Sequence, residues 1–179
     1  MPTLEELIVS LPFPEDPQLA LDGTQVAYVA TPYGRVKDAE GAIWLASIDS
    51  GEARQFTSGN GRDDQPRWSP DGNWLAFLSE RTEPGRRDLF RISRAGGEAE
   101  PLVQRKRGIE RFAWSPDGGA IAFLCPDDPD DEDERREKER DDAEVYGERW
   151  QFNQLRLLDL STRETRTLPT GDVHLTELV

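Results

Sequence analysis

Trp68-Ser69-Pro70-Asp71-Gly72, followed by Leu75-Ala76-Phe77-Leu78, is the stretch on which the reading of this chain turns. Proline presets φ for the first central position of a tight turn, Asp suits the second, and Gly accepts the left-handed conformation behind it. The pentapeptide therefore reads as the turn of a β-hairpin, with the Trp and the apolar set on neighbouring antiparallel strands. The same five residues recur at Trp114-Ser115-Pro116-Asp117-Gly118, ahead of Ile121-Ala122-Phe123-Leu124. A plainer version runs from Leu19 through Asp22-Gly23 to Val26-Ala27-Tyr28-Val29. Aliphatic, Ala, aromatic, aliphatic is thus written three times.

Working outward, the repeat continues through Ile43, Leu89 and Leu155, then Glu52, Glu98 and Glu164, then Phe56, Leu102 and Leu168. A second hairpin is signalled by Ser50-Gly51-Glu52, Ala95-Gly96-Gly97-Glu98 and Ser161-Thr162-Arg163-Glu164. Asp22, Asp71 and Asp117 are spaced by 49 and 46 residues, close to the ~40–50 residues of a four-stranded propeller blade. The fold class expected is all-β: a partial β-propeller of four-stranded antiparallel blades, of the WD40-like or TolB type, with a short N-terminal helix. The expected division is helix and lead-in at 1–12, blade 1 at 13–58, blade 2 at 59–104, blade 3 at 105–171 and the start of a fourth blade at 172–179. Small Ala alternating with a bulky aromatic lets blades sit face to face. The Trp, Tyr and Phe residues of the repeat are accordingly read as packing, not as a ligand platform.

Two features depart from the period. Leu155 follows Asp117 by 38 residues where Leu89 follows Asp71 by 18, so blade 3 carries an insertion. It coincides with a charged stretch, 127–148, that holds 13 acidic and 4 basic residues. Such a run cannot bury a core and reads as a solvated loop, with a short exposed helix in its Glu/Arg/Lys middle. It lacks the Gly and terminal Glu of an EF-hand, so no metal site is assigned there. The second departure is the chain end. Twelve residues separate Phe56 from Trp68 and Leu102 from Trp114, and the same step from Leu168 lands on position 180, one past Val179. The expectation is a piece of a longer propeller. At the other end, Thr3-Leu4-Glu5-Glu6 reads as a capping box, with Leu4, Leu7 and Ile8 on one helix face.

Composition narrows the functions. A net charge of −14 and a pI near 4.5 argue against phosphate-backbone binding, so neither nucleic acid nor an anionic membrane is expected as a partner. The opening residues lack a signal-peptide pattern and no apolar run approaches a membrane span, so a cytoplasmic location is expected. The single cysteine, Cys125, fits a reducing compartment and reads as a small buried strand residue. His174 is the one histidine and has no serine elbow near it; there is no Gly-x-Ser-x-Gly anywhere. No catalytic, cofactor-binding or metal-ligating residue is therefore assigned, and no cofactor is expected.

The order of these elements resembles the N-terminal part of the prolyl oligopeptidase family of serine peptidases, in particular the bacterial acylaminoacyl-peptidase branch. The resemblance rests on the acidic N-terminal helix, the strand Asp22-Gly23-Thr24-Gln25-Val26-Ala27-Tyr28-Val29, the two Trp-Ser-Pro-Asp-Gly turns, and the charged insertion leading to Tyr146 and Arg149-Trp150-Gln151-Phe152. It implies a propeller that caps a C-terminal α/β-hydrolase domain and admits only short or N-acylated peptides to its Ser-Asp-His triad. The partners implied are the rest of the propeller, that hydrolase domain and short peptides; homo-oligomerisation is left open. The acidic insertion would then repel acidic peptides and attract cationic ones within roughly a Debye length of ~8–10 Å. Related repeats also build non-catalytic TolB-like proteins, so a protein-binding scaffold is the alternative.

Overall fold

A computed structural model describes residues 12–32, 41–59, 61–128 and 153–170. The described residues form three four-stranded sheets, each an antiparallel meander in which every strand pairs with the next in sequence. Blade 1 consists of β1 (Pro12–Leu19), β2 (Gln25–Pro32), β3 (Ala42–Ser47) and β4 (Ala53–Gln55). Blade 2 consists of β5 (Asp63–Trp68), β6 (Trp74–Glu83), β7 (Arg86–Ser93) and β8 (Glu100–Val103). Blade 3 consists of β9 (Arg111–Trp114), β10 (Ala120–Cys125), β11 (Gln154–Asp159) and β12 (Thr165–Thr167). The helix expected around Thr3–Ile8 lies outside the described residues, as do most of the charged insertion, Tyr146, Arg149 to Phe152, and His174.

The repeated pentapeptide does what its residues dictate. Gly72 N–H donates to Ser69 O at 2.9 Å and Gly118 N–H to Ser115 O at 2.9 Å, closing both turns. Each glycine sits at positive φ, 68° and 71°, where a side chain would be strained. The serine and aspartate brace the turn from inside. Ser69 Oγ donates to Asp71 Oδ1 at 2.5 Å and accepts from Trp74 N–H at 2.9 Å. Ser115, Asp117 and Ala120 repeat both bonds at 2.6 and 2.9 Å. Blade 1 keeps the turn bond, Gly23 N–H to Ala20 O at 2.8 Å, without the serine.

Register confirms the repeat at single-residue resolution. Val29 lies opposite Ile43, Leu78 opposite Leu89, and Leu124 opposite Leu155. One alignment is corrected in the fourth strand. Phe56 and Leu168 donate to Ile43 O and Leu155 O, both at 2.8 Å, but in blade 2 Val103, not Leu102, lies opposite Leu89. The pairing slips between Leu89 and Phe90, a bulge that places one extra residue on β8. Val103 is consequently buried, and Leu102 only packs against the core's margin.

The core lies between blades, because each sheet is apolar on both faces. Leu75, Phe77, Phe90 and Ile92 of blade 2 meet Ala27, Ile43 and Leu45 of blade 1. Ala76, Leu78 and Leu89 turn the other way, onto Phe112, Ile121, Phe123 and Leu158 of blade 3. Phe77 and Phe123 are wholly buried, each worth about 1.5–3 kcal/mol of apolar transfer. Cys125 is buried in the same core, and desolvation pushes its thiol up from its ordinary range.

Candidate functional site

Blades meet through their first strands. β5 touches β1, β2 and β3, and β9 touches β5, so the sheets converge along one edge. Two of these strands carry a bulge at the same place in the repeat. Asp16 and Gln65 hold left-handed φ of 47° and 51°, and pairing is interrupted between Glu15 and Gln18 and between Asp64 and Arg67. A bulge bends a strand and re-aims its side chains. Here the re-aimed residues lace neighbouring blades together. Arg67 reaches Asp16 Oδ2 at 2.7 Å, and Gln65 Nε2 donates to Glu110 O at 2.8 Å.

Above the bulges the repeated tryptophans act as clasps. Trp68 Nε1 donates to Gln18 O of blade 1 at 3.2 Å, and Trp114 Nε1 donates to Arg67 O of blade 2 at 3.1 Å. Arg94 adds a three-point grip on the blade 1 turn, with bonds to Asp22 at 2.6 Å, Thr24 at 2.7 Å and Gln25 at 3.1 Å. That grip, together with bonds from Thr24, holds the Asp22 carboxyl well below the usual carboxylate range.

A groove of about 650 Å³ opens between blades 1 and 2. Phe56, Thr57, Arg81, Phe90, Ile92 and Ala99 are among its lining residues. Two charged residues, Arg81 and Glu98, line it, and Arg81 is already matched. Arg81 Nη2 donates to both oxygens of Asp63, at 2.9 and 3.2 Å, while Arg81 Nε donates to Ser79 Oγ at 2.9 Å. The guanidinium also lies over the rings of Phe77 and Phe90, at 5.0 and 4.8 Å. The residues that line the groove offer a guest apolar surface, hydroxyls, the Gln104 amide and the Glu98 carboxylate.

Chemically active pairs are not assembled among the described residues. In the hydroxyl–carboxylate pairs Ser69–Asp71 and Ser115–Asp117 the serine hydroxyl first, and then the turn N–H of Asn73 or Gly119, hold the aspartate below its usual range, which leaves each carboxylate a weak base for its serine. No group of three or more His, Cys, Asp or Glu there is placed to hold a metal ion. One carboxylate departs in the opposite sense. Asp64, on the converging strand β5, is raised by desolvation despite Arg87 at 3.5 Å and Arg62 at 3.7 Å.

No family model matches the chain. Over 97 residues it is 40% identical to the uncharacterized peptidase YuxL of Bacillus subtilis, an alignment covering 54% of this chain and 15% of that one. Over 76 residues it is 36% identical to an uncharacterized protein of Agrobacterium fabrum, covering 42% of this chain and 25% of that one. The aligned part is thus a quarter or less of the curated relatives' length. Among solved structures, the AtxE2 isopeptidase superposes with a TM-score of 0.68 at 21% identity, covering 94% of this chain and 32% of that one. The acylaminoacyl peptidase of Pyrococcus horikoshii gives 0.63 at 19% identity, covering 90% and 25%. TolB from Acinetobacter baumannii gives 0.60 at 19%, covering 85% and 31%. What these structures share with the chain is the propeller fold. The resemblance seen in the sequence therefore holds: the chain is similar to the propeller portion of peptidases, acylaminoacyl peptidase among them.

Proposed function

We propose that this chain is the N-terminal propeller portion of a cytoplasmic serine peptidase of the acylaminoacyl-peptidase or oligopeptidase kind, and that it selects substrates by size. The observation that carries the reading is the 40% identity over 97 residues to a protein named as a peptidase. The propeller neighbours that come from peptidases support it. In this reading the reacting groups sit on an α/β-hydrolase domain elsewhere in the parent protein, and the blades wall off its entrance.

The physical requirement for that task is a stiff wall. Each interblade seam combines a buried apolar cluster with directional bonds, Trp68 and Arg94 at one seam and Trp114 at the next. Such a wall excludes folded proteins sterically and lets short or N-acylated peptides pass.

The test is covalent labelling of the full-length parent protein with a fluorophosphonate probe. Labelling at one serine outside residues 1–179 supports the peptidase. A full-length protein that never labels, and that instead co-purifies stoichiometrically with another protein, would replace this reading with the TolB-like scaffold.

A further inference from the structure

The groove between blades 1 and 2 has a counterpart at the next seam, and there it is bridged. Ser58 stands two residues past Phe56, which bonds Ile43 O; two residues past Val103, which lies opposite Leu89, blade 2 has Arg105. Thr82 stands four residues past Leu78, where blade 3 has Asp128 four past Leu124. Between blades 2 and 3, Arg105 Nη2 meets Asp128 Oδ2 at 2.8 Å, and the arginine side chain keeps only 19% of its exposure. Between blades 1 and 2 the same two positions hold the short hydroxyl side chains of Ser58 and Thr82, and both line the open groove.

The floor differs in the same sense. Phe90 and Ile92, both buried, line the groove where blade 3 has Arg156, paired with Asp127, and Leu158. Space that blades 2 and 3 fill with charged side chains is thus open and apolar one seam earlier. Its own charges leave a deficit. Arg81 is held by both oxygens of Asp63, so that pair is neutral. Glu98 is exposed, lines the groove, and has no cation paired with it among the described residues.

We infer that this groove binds an arginine side chain presented by an extended peptide, the same side chain that the repeat itself places in the equivalent space one seam later. The methylene stem of arginine covers apolar surface while its charged head stays solvated, which suits a floor of Phe90 and Ile92. Its planar fork of N–H donors matches the Glu98 carboxylate and the hydroxyl oxygens of Ser58 and Thr82. Lysine offers a strongly hydrated point charge without that fork and is the poorer guest. The volume of about 650 Å³ falls within the ~300–1,000 Å³ of ligand sites. The inference concerns residues of blades 1 and 2 and stands whether or not the parent protein is a peptidase.

The test is an NMR titration of the isotope-labelled 179-residue chain with acetyl-Leu-Arg-Leu-amide, alongside the same peptide with citrulline, which has arginine's shape without its charge. The expected result is a saturable shift of the Ser58, Thr82 and Glu98 amides by the arginine peptide. Citrulline in the peptide, or Glu98→Gln in the chain, should weaken binding roughly two- to fivefold, the range of an exposed ion pair. Ser58→Arg combined with Thr82→Asp rebuilds the ion pair of the next seam inside the groove, and should abolish binding while the far-ultraviolet circular dichroism spectrum is unchanged. No saturable shift, shifts confined to amides elsewhere in this acidic chain, equal affinity for the citrulline peptide, or binding indifferent to Glu98→Gln or to the folded double variant overturns the proposal. Should the double variant fail to fold, the citrulline comparison and Glu98→Gln, a change at an exposed position, decide alone.

Discussion

Replacing Arg81 with Leu removes the cation from a carboxylate that water does not reach. Asp63 is fully buried, and Arg81 Nη2 is bonded to both of its oxygens, at 2.9 and 3.2 Å. Stranding such a charge costs about 3–5 kcal/mol. The reciprocal change, Asp63→Ala, strands less. The Arg81 side chain keeps 19% of its exposure, its bond to Ser79 and its place over Phe77 and Phe90, so the expected cost is the lost charged hydrogen bonds, about 1.5–3 kcal/mol. In a chain of this size each kcal/mol moves Tm by about 2–4 °C. Arg81→Leu should therefore melt roughly 6–20 °C lower than the parent chain, by the same conversion. The double variant should recover part of the loss, with a coupling of about 0.5–3 kcal/mol. Thermal melts followed by circular dichroism at pH 7 for the two single variants and the double variant close the cycle. An Arg81→Leu chain that loses no more than Asp63→Ala, or a double variant whose loss is the sum of the two, would refute the claim that the carboxylate is a buried charge held by this arginine.

Three further outcomes follow from single sites. Asp64 is raised by desolvation, so the native state holds its proton more tightly than the unfolded chain and loses stability as pH rises above about 4. Asp64→Asn should accordingly raise Tm at pH 7, and the gain should vanish in melts at pH 3; Asp71, held low by Ser69 and Asn73, has the opposite sign, so its contribution is present at neutral pH and fades in acid. Gly61 has a φ of 97°, and an added Cβ would stand 2.8 Å from Arg81 N; Gly61→Ala should cost about 2–4 kcal/mol in urea unfolding, whereas Gly85→Ala, with open space at its Cβ, should cost about 1–2 kcal/mol. Arg163 holds a left-handed φ of 63° at the turn position that Gly51 fills in blade 1, so Arg163→Gly should stabilise by about 1 kcal/mol, read from the same unfolding curves.

The parts of this fold that repeat were legible, because the same local chemistry was written more than once. The Ser-Pro-Asp-Gly turns could be read from one residue's φ preference after another, and Gly72 and Gly118 take the conformations those preferences demand. Alternation of Ala76 with Leu75 and Phe77 announced a sheet packed on both faces, and the two core clusters divide these residues in that way. The features that break the repeat were not legible. Asp16 and Gln65 take left-handed conformations without being Gly or Asn, so no residue preference marks the bulges. The slip that puts Val103 opposite Leu89 is invisible in a pattern where Leu102 and Val103 are both aliphatic. Ion pairs were hidden for a different reason. With 58 charged residues among 179, nothing in the sequence says that Arg94 meets Asp22 or that Arg81 meets Asp63; only the packing of blades brings them together.

The reading of the chain as a gating propeller is tested most directly by the dependence of hydrolysis on peptide length. The full-length parent protein would be offered one cleavable sequence embedded in peptides of increasing length, ending with the same sequence in a loop of a folded protein. The account predicts that short peptides are cleaved, that the rate falls steeply with length, and that the folded substrate is untouched. Cleavage of the folded substrate at the rate of the shortest peptide, or no cleavage of any of them, would contradict it.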